Sequence, residues 1–198
     1  LARIYLSSTY IDLREHREAV YKTLRRLGHE VFGMEDYAAA DQLSLKLALD
    51  EVASCDAFVS IVAWRYGYIP ERDDSSGLSI TDMEYRHALR LNKPCFVFLL
   101  DPTAPWPPSM IDEGGRIKAF REELAATRVV GFFKDLNDLA VQVATAISTW
   151  MMQQTPEPAV KPASRASSKG KPGRETRLSR PRRRRSSEWR RGRASATR

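Results

Sequence analysis

Two cysteines in 198 residues, Cys55 and Cys95, exclude a disulfide-stapled scaffold and a cysteine-built zinc site, because there is no CxxC pair and no third or fourth sulfur. The pair reads as reduced and structural, as in a cytoplasmic protein. Glycine is sparse at 10 residues. None of them forms G-x-x-x-x-G-K-[ST] or G-x-G-x-x-G, which excludes a P-loop and a dinucleotide fingerprint. Three histidines, His16, His29 and His87, have no metal-ligand spacing, so no metal centre is expected, and nothing in the order of residues argues a Ser-His-Asp or Cys-His constellation. No apolar run approaches the ~18 residues that cross a bilayer. No basic-then-apolar leader opens the chain, and a soluble cytoplasmic protein is expected, with Leu1 as first residue leaving room for a preceding segment.

The net charge of +7 conceals two unlike parts. Residues 1–156 carry 17 Lys and Arg against 22 Asp and Glu, whereas residues 157–198 carry 15 against 3. The first part has the size of one domain and can bury a core. From Gln153 onward Pro, Ser, Lys, Arg and Gly dominate, and such a segment cannot bury enough apolar surface to offset its ordering entropy. The division is therefore a folded domain at 1–154 and a disordered basic tail at 155–198. The run Arg180-Pro181-Arg182-Arg183-Arg184-Arg185 is compatible with nucleic acid or an anionic surface, with Trp189 as one stacking aromatic; a solvated extension is the plainer reading.

Within the domain, strand and helix patterns alternate, which predicts an α/β fold around a mostly parallel five-stranded sheet. Strands are expected at Ala2–Leu6, His29–Met34, Ala57–Ala63, Cys95–Leu100 and Val129–Phe133. Helices are expected from about Leu13 to Leu27, through Leu43, Leu47, Ala48, Leu49, Val52 and Ala53, and from about Thr81 to Leu91, Asp112 to Thr127 and Leu136 to Met152. Asp12 or Thr9 is a candidate cap for the first helix and Gly28 its stop. The architecture that fits is a flavodoxin-like or TIR-like three-layer sandwich.

Glu84 is the leading functional candidate. It opens a helical pattern between two apolar strand-like runs, and in an open parallel sheet ligands collect outside the carboxyl ends of the strands. Ser7, Ser8, Thr9 and Tyr10 follow the first strand, where hydroxyls and backbone N–H groups at a helix start suit a phosphate or a ribose hydroxyl. Trp64, Tyr66 and Tyr68 follow the third strand and are candidates to stack on a base, while Ser79 and Thr81 flank the glutamate's turn. Asp56 begins its strand and lies at the opposite edge. Each assignment has a structural alternative. Ser7, Ser8 and Thr9 also serve as helix caps, Trp64 and Tyr66 as covers of the sheet end, and Thr81-x-x-Glu84 as a capping box.

Taken in order, Ile4 to Arg17, Gly33-Met34-Glu35, Trp64-Arg65-Tyr66-Gly67-Tyr68-Ile69-Pro70, Gly77-Leu78-Ser79-Ile80-Thr81 and Glu84-Tyr85 resemble the motifs of a TIR-like domain-of-unknown-function family. Members of that family stand at the N-terminus of proteins that continue into NACHT-type or other STAND NTPase modules and repeats. The segment Ser79 to Pro94 is also similar to the part of nucleoside deoxyribosyltransferases in which a helix-borne glutamate precedes Lys-Pro and a strand; NAD-cleaving TIR domains place a catalytic glutamate on the corresponding helix. The resemblance implies N-glycosidic chemistry on NAD or a related nucleotide as substrate, with Glu84 as catalytic carboxylate and no bound cofactor. It equally implies a non-catalytic module that self-associates or recruits a STAND-type NTPase, since TIR-type domains do both. Convergence of Glu84 with the Ser7–Thr9 segment and with Trp64 or Tyr66 is what separates an enzyme from a module.

Overall fold

The computed structural model describes residues 1–33, 45–70 and 77–154. The basic tail, Leu43, Met34 and the Glu35–Asp36–Tyr37 loop lie outside the described residues. Five strands, β1 (Arg3–Ser8), β2 (Glu30–Gly33), β3 (Ala57–Val62), β4 (Cys95–Leu100) and β5 (Val130–Phe133), alternate with five helices. These are α1 (Arg14–Arg26), α2 (Leu45–Ser54), α3 (Ile80–Arg90), α4 (Gly115–Thr127) and α5 (Leu136–Gln154). All strand pairs are parallel and the order is β2-β1-β3-β4-β5, the flavodoxin-like arrangement. The order reverses between β1 and β3, so the crevice of the topological switch point opens at their carboxyl ends.

The run Ala57–Val62 is buried at every position because helices cover both faces of the sheet. Ile4, Leu6, Val59 and Ile61 pack on one face with Val20 and Leu24 of α1 and Val143 and Ile147 of α5. Tyr5, Phe58 and Val62 pack on the other with Val52 of α2, Tyr85 and Ala88 of α3, and Phe120 and Leu124 of α4. Alternation along β1 thus sends Tyr5 and Ser7 toward α3, and Leu6 and Ser8 toward α1.

Several boundaries differ from expectation for identifiable reasons. β1 runs on past its expected end at Leu6 through Ser7 and Ser8, because these still pair with Ser60 and Ile61 of β3 and are not yet a turn. Neither Asp12 nor Thr9 caps α1; Leu13 occupies the cap position without a side-chain bond, and Thr9 Oγ1 donates to Asp12 Oδ1 at 2.5 Å. Gly28 does end α1, at φ +88°, with its N–H bonded to Arg25 O. α4 begins at Gly115 instead of Asp112, whose carboxylate accepts the Tyr66 N–H at 2.7 Å.

Candidate active site at the β1/β3 switch point

α3 begins one residue earlier than its sequence suggests. Ser79 is the N-cap and its Oγ accepts the Asp82 N–H at 3.3 Å, so Thr81 and Glu84 do not form the capping box. Glu84 is instead a full turn inside the helix, on the face that packs on the sheet. Its side chain crosses to β1: Tyr5 OH donates to Oε1 at 2.7 Å and Ser7 Oγ to Oε2 at 2.5 Å. Glu84 is 4 % exposed, and both donors are buried with it. Arg65 and Arg86 leave it alone, since Arg65 faces Asp112 at 3.6 Å and Arg86 bridges Asp82 at 2.7 Å and Glu123 at 2.8 Å.

Burial raises the Glu84 pKa, while the Ser7 and Tyr5 hydroxyls and the charge of Arg17 pull it back. Burial, with the neighbouring Glu84 charge, pushes the Tyr5 phenol far above its ordinary range, so Tyr5 remains a donor. Arg17 is 1 % exposed and holds the end of β1 from the α1 side, with Nη1 donating to Ser8 Oγ at 2.9 Å and Nη2 to Leu6 O at 3.1 Å. A buried carboxyl group with two fixed hydroxyl donors and a guanidinium across the strand is preorganised. Such a group can face a developing cation or accept a proton, and a perturbed carboxyl at a sheet's carboxyl end is a candidate functional residue on physical grounds.

The other predicted residues divide into two sets. Thr9, Ser79 and Thr81 meet around Gly67, whose φ is +94°; a Cβ there would lie 3.1 Å from Thr9 Cγ2, 3.7 Å from Ser79 Cβ and 3.7 Å from Thr81 Oγ1. The loop after β3 is held on the start of α3 by this close approach and by the Ile80 N–H to Tyr68 O bond of 3.0 Å. Trp64 and Tyr66 are committed to packing. Arg121 lies over the Trp64 ring at 4.0 Å, and Tyr66 donates its hydroxyl to Asp82 Oδ2 at 2.8 Å with its ring edge-on to Phe120. Tyr10 and Tyr68 are exposed, Tyr10 beneath the Arg14 guanidinium at 5.9 Å. Asp56 binds the Arg3 N–H at 2.8 Å, at the opposite end of the sheet from Glu84.

A family model described as a domain of unknown function, DUF4062, matches residues 3–148. The chain belongs to this family. Comparison with curated proteins finds no match to the chain. Among solved structures it is similar to the CMP N-glycosidase BcmB of Clostridium botulinum, at 17% identity and a TM-score of 0.40, covering 71% of this chain and 97% of that one. It is similar to the TIR domains of the activated Roq1 resistosome at 11% identity and 0.49, covering 74% and 99%. A flavodoxin-like domain from Synechococcus sp. matches at 14% and 0.40, covering 76% and 98%. At such identities and scores, the chemistry of the DUF4062 domain has to be argued from its own residues.

Three groups at this end of the DUF4062 sheet escape a reading by motif. Tyr5 looks like a core aromatic, but it shares a strand face with Ser7 at i, i+2, and that pairing is the signal. Arg17 and Arg121 look like surface charges on helices. Arg121 is 6 % exposed and donates to Val62 O, Ala63 O and Leu100 O at 3.2, 3.0 and 2.6 Å, closing the ends of β3 and β4, and burial lowers its pKa to about 10.

Proposed function

We propose that this domain cleaves the N-glycosidic bond of NAD or a related nucleotide, with Glu84 as the carboxylate facing the sugar. The observation that supports the reading is the placement of Glu84: buried at the β1/β3 switch point, bonded to Tyr5 and Ser7, and used neither to cap α3 nor to pair with Arg65 or Arg86. When the C1′–N bond breaks, its electron pair leaves with the base and C1′ becomes oxocarbenium-like. An ionised Glu84 stabilises that centre electrostatically or bonds to it, and water then completes hydrolysis. Tyr5 and Ser7 hold the carboxylate in place. Thr9, Tyr10, Ser79 and Thr81 belong to the substrate shell in this proposal, with Trp64 and Tyr66 as its packed wall, while Ser8 is held by Arg17 on the α1 side of β1.

The near-complete burial of Glu84 favours a second reading, in which the TIR-like fold is a signalling module that self-associates or engages a STAND-type NTPase and the carboxylate cluster is structural. Base release from NAD, AMP and CMP, measured at several protein concentrations, separates the two. Turnover by the parent that disappears in folded Glu84→Gln and Glu84→Ala proteins, and falls without disappearing in Tyr5→Phe and Ser7→Ala, supports the enzyme. Concentration-dependent assembly with no base released from any of the three supports the module.

A further inference from the structure

Ser60 is completely buried in β3, and its Oγ has no hydrogen-bond partner among the described residues. The register sets Ser60 beside Ser7 of β1, and neighbouring strands lie about 5 Å apart. Alternation puts its side chain on the same face as Phe58 and Val62, which pack with Tyr5 and Tyr85, and therefore on the side from which Glu84 approaches β1. Val97 flanks it on β4, so that neighbouring strand offers no side-chain partner. Ser7, the polar neighbour on the other side, already donates its hydroxyl to Glu84 Oε2.

A hydroxyl in this position is unfavourable for the fold taken alone. Leaving a buried polar group unpaired costs about 1–3 kcal/mol, and folded proteins pair nearly all of them. The rest of that row on β3 is Phe58 and Val62, so an apolar side chain would extend the core without penalty. The unmet hydroxyl lies in β3 two residues short of its carboxyl end, below the crevice in which a parallel sheet of this order receives its ligand.

We propose that Ser60 Oγ bonds a ribose hydroxyl of a nucleotide held at the β1/β3 switch point, so that the site selects ribose over deoxyribose. This rests on the reading of Glu84 given above and names the sugar class of its substrate. Ser7 and Ser60 form adjacent hydroxyls on the floor, one holding the carboxylate and the other the sugar.

The test measures binding of NAD, AMP, 2′-deoxy-AMP and 3′-deoxy-AMP to Glu84→Gln protein with Ser60 intact and with Ser60→Ala, together with the melting temperature of each ligand-free protein. Loss of one hydrogen bond predicts about tenfold weaker binding of NAD and AMP to the Ser60→Ala protein. One of the two deoxy nucleotides is then expected to bind both proteins equally, since it lacks the hydroxyl that Ser60 contacts. Ligand-free melting should be unchanged or raised by the substitution. Equal binding of NAD and AMP by both proteins overturns the role of Ser60 and leaves the reading of Glu84 standing. Failure of both proteins to bind any of the four, with a lowered melting temperature for Ser60→Ala, overturns the role of Ser60 and assigns its hydroxyl to a structural water.

Discussion

At the scale of single residues, Glu84 is a charge that the fold holds against a penalty. Its pKa is raised in the folded chain, so the folded state binds this proton more tightly than the unfolded chain does. The resulting stability is fully present below the unfolded value of 4.5 and is lost as pH rises through the folded value. Glu84→Gln removes that dependence. The melting temperature of the Gln variant relative to the parent should therefore rise as the pH is raised above 4.5. A relative fall over that range would mean that Tyr5, Ser7 and Arg17 together outweigh burial. Tyr5→Phe keeps the ring stacked on Phe58 but leaves Oε1 without its donor, and should cost about 1–3 kcal/mol in urea unfolding. A cost near zero would show that the phenol contributes only packing.

Elements show where sequence patterns suffice and where they do not. The five strands and five α-helices among the described residues are legible from apolar periodicity, because layers on both sides of a parallel sheet leave buried runs and regular helix faces. The candidate site is less legible for the same reason. Ser7 and Ser8 look like a turn because hydroxyl residues favour caps, yet pairing with β3 keeps them in the strand. Ser60 disappears into the run Ala57–Val62, although a polar residue inside a fully buried strand is itself the informative feature. Tyr66 and Asp82, 16 residues apart, form a bond that no local pattern announces. Gly67 and Gly28 offer a matched comparison, since both have positive φ but only Gly67 has neighbours where a Cβ would go. Alanine at either should cost about 1–2 kcal/mol through backbone strain. Gly67→Ala should in addition impair nucleotide binding by crowding Thr9, whereas Gly28→Ala should leave it intact; equal effects on binding would separate the loop after β3 from the site.

Over the whole molecule, the acidic domain and the basic tail divide the properties of the chain. The compact unit Leu1–Glu157 contains both apolar layers, and no helix among the described residues is long and apolar enough to cross a membrane. A chain ending at residue 157 should melt at the same temperature as the full chain. Retention on a polyanion should be lost from the shortened chain and should fall steeply with salt in the full one, because the 15 Lys and Arg of residues 157–198 supply the attraction. Retention by the shortened chain would place the anion-binding surface on the domain.

Glu84 is the point on which these scales converge, and chromatographic detection of nicotinamide released from NAD tests it most directly. The account predicts release by the parent protein and none by a Glu84→Gln protein that melts normally. Equal release by both would contradict it.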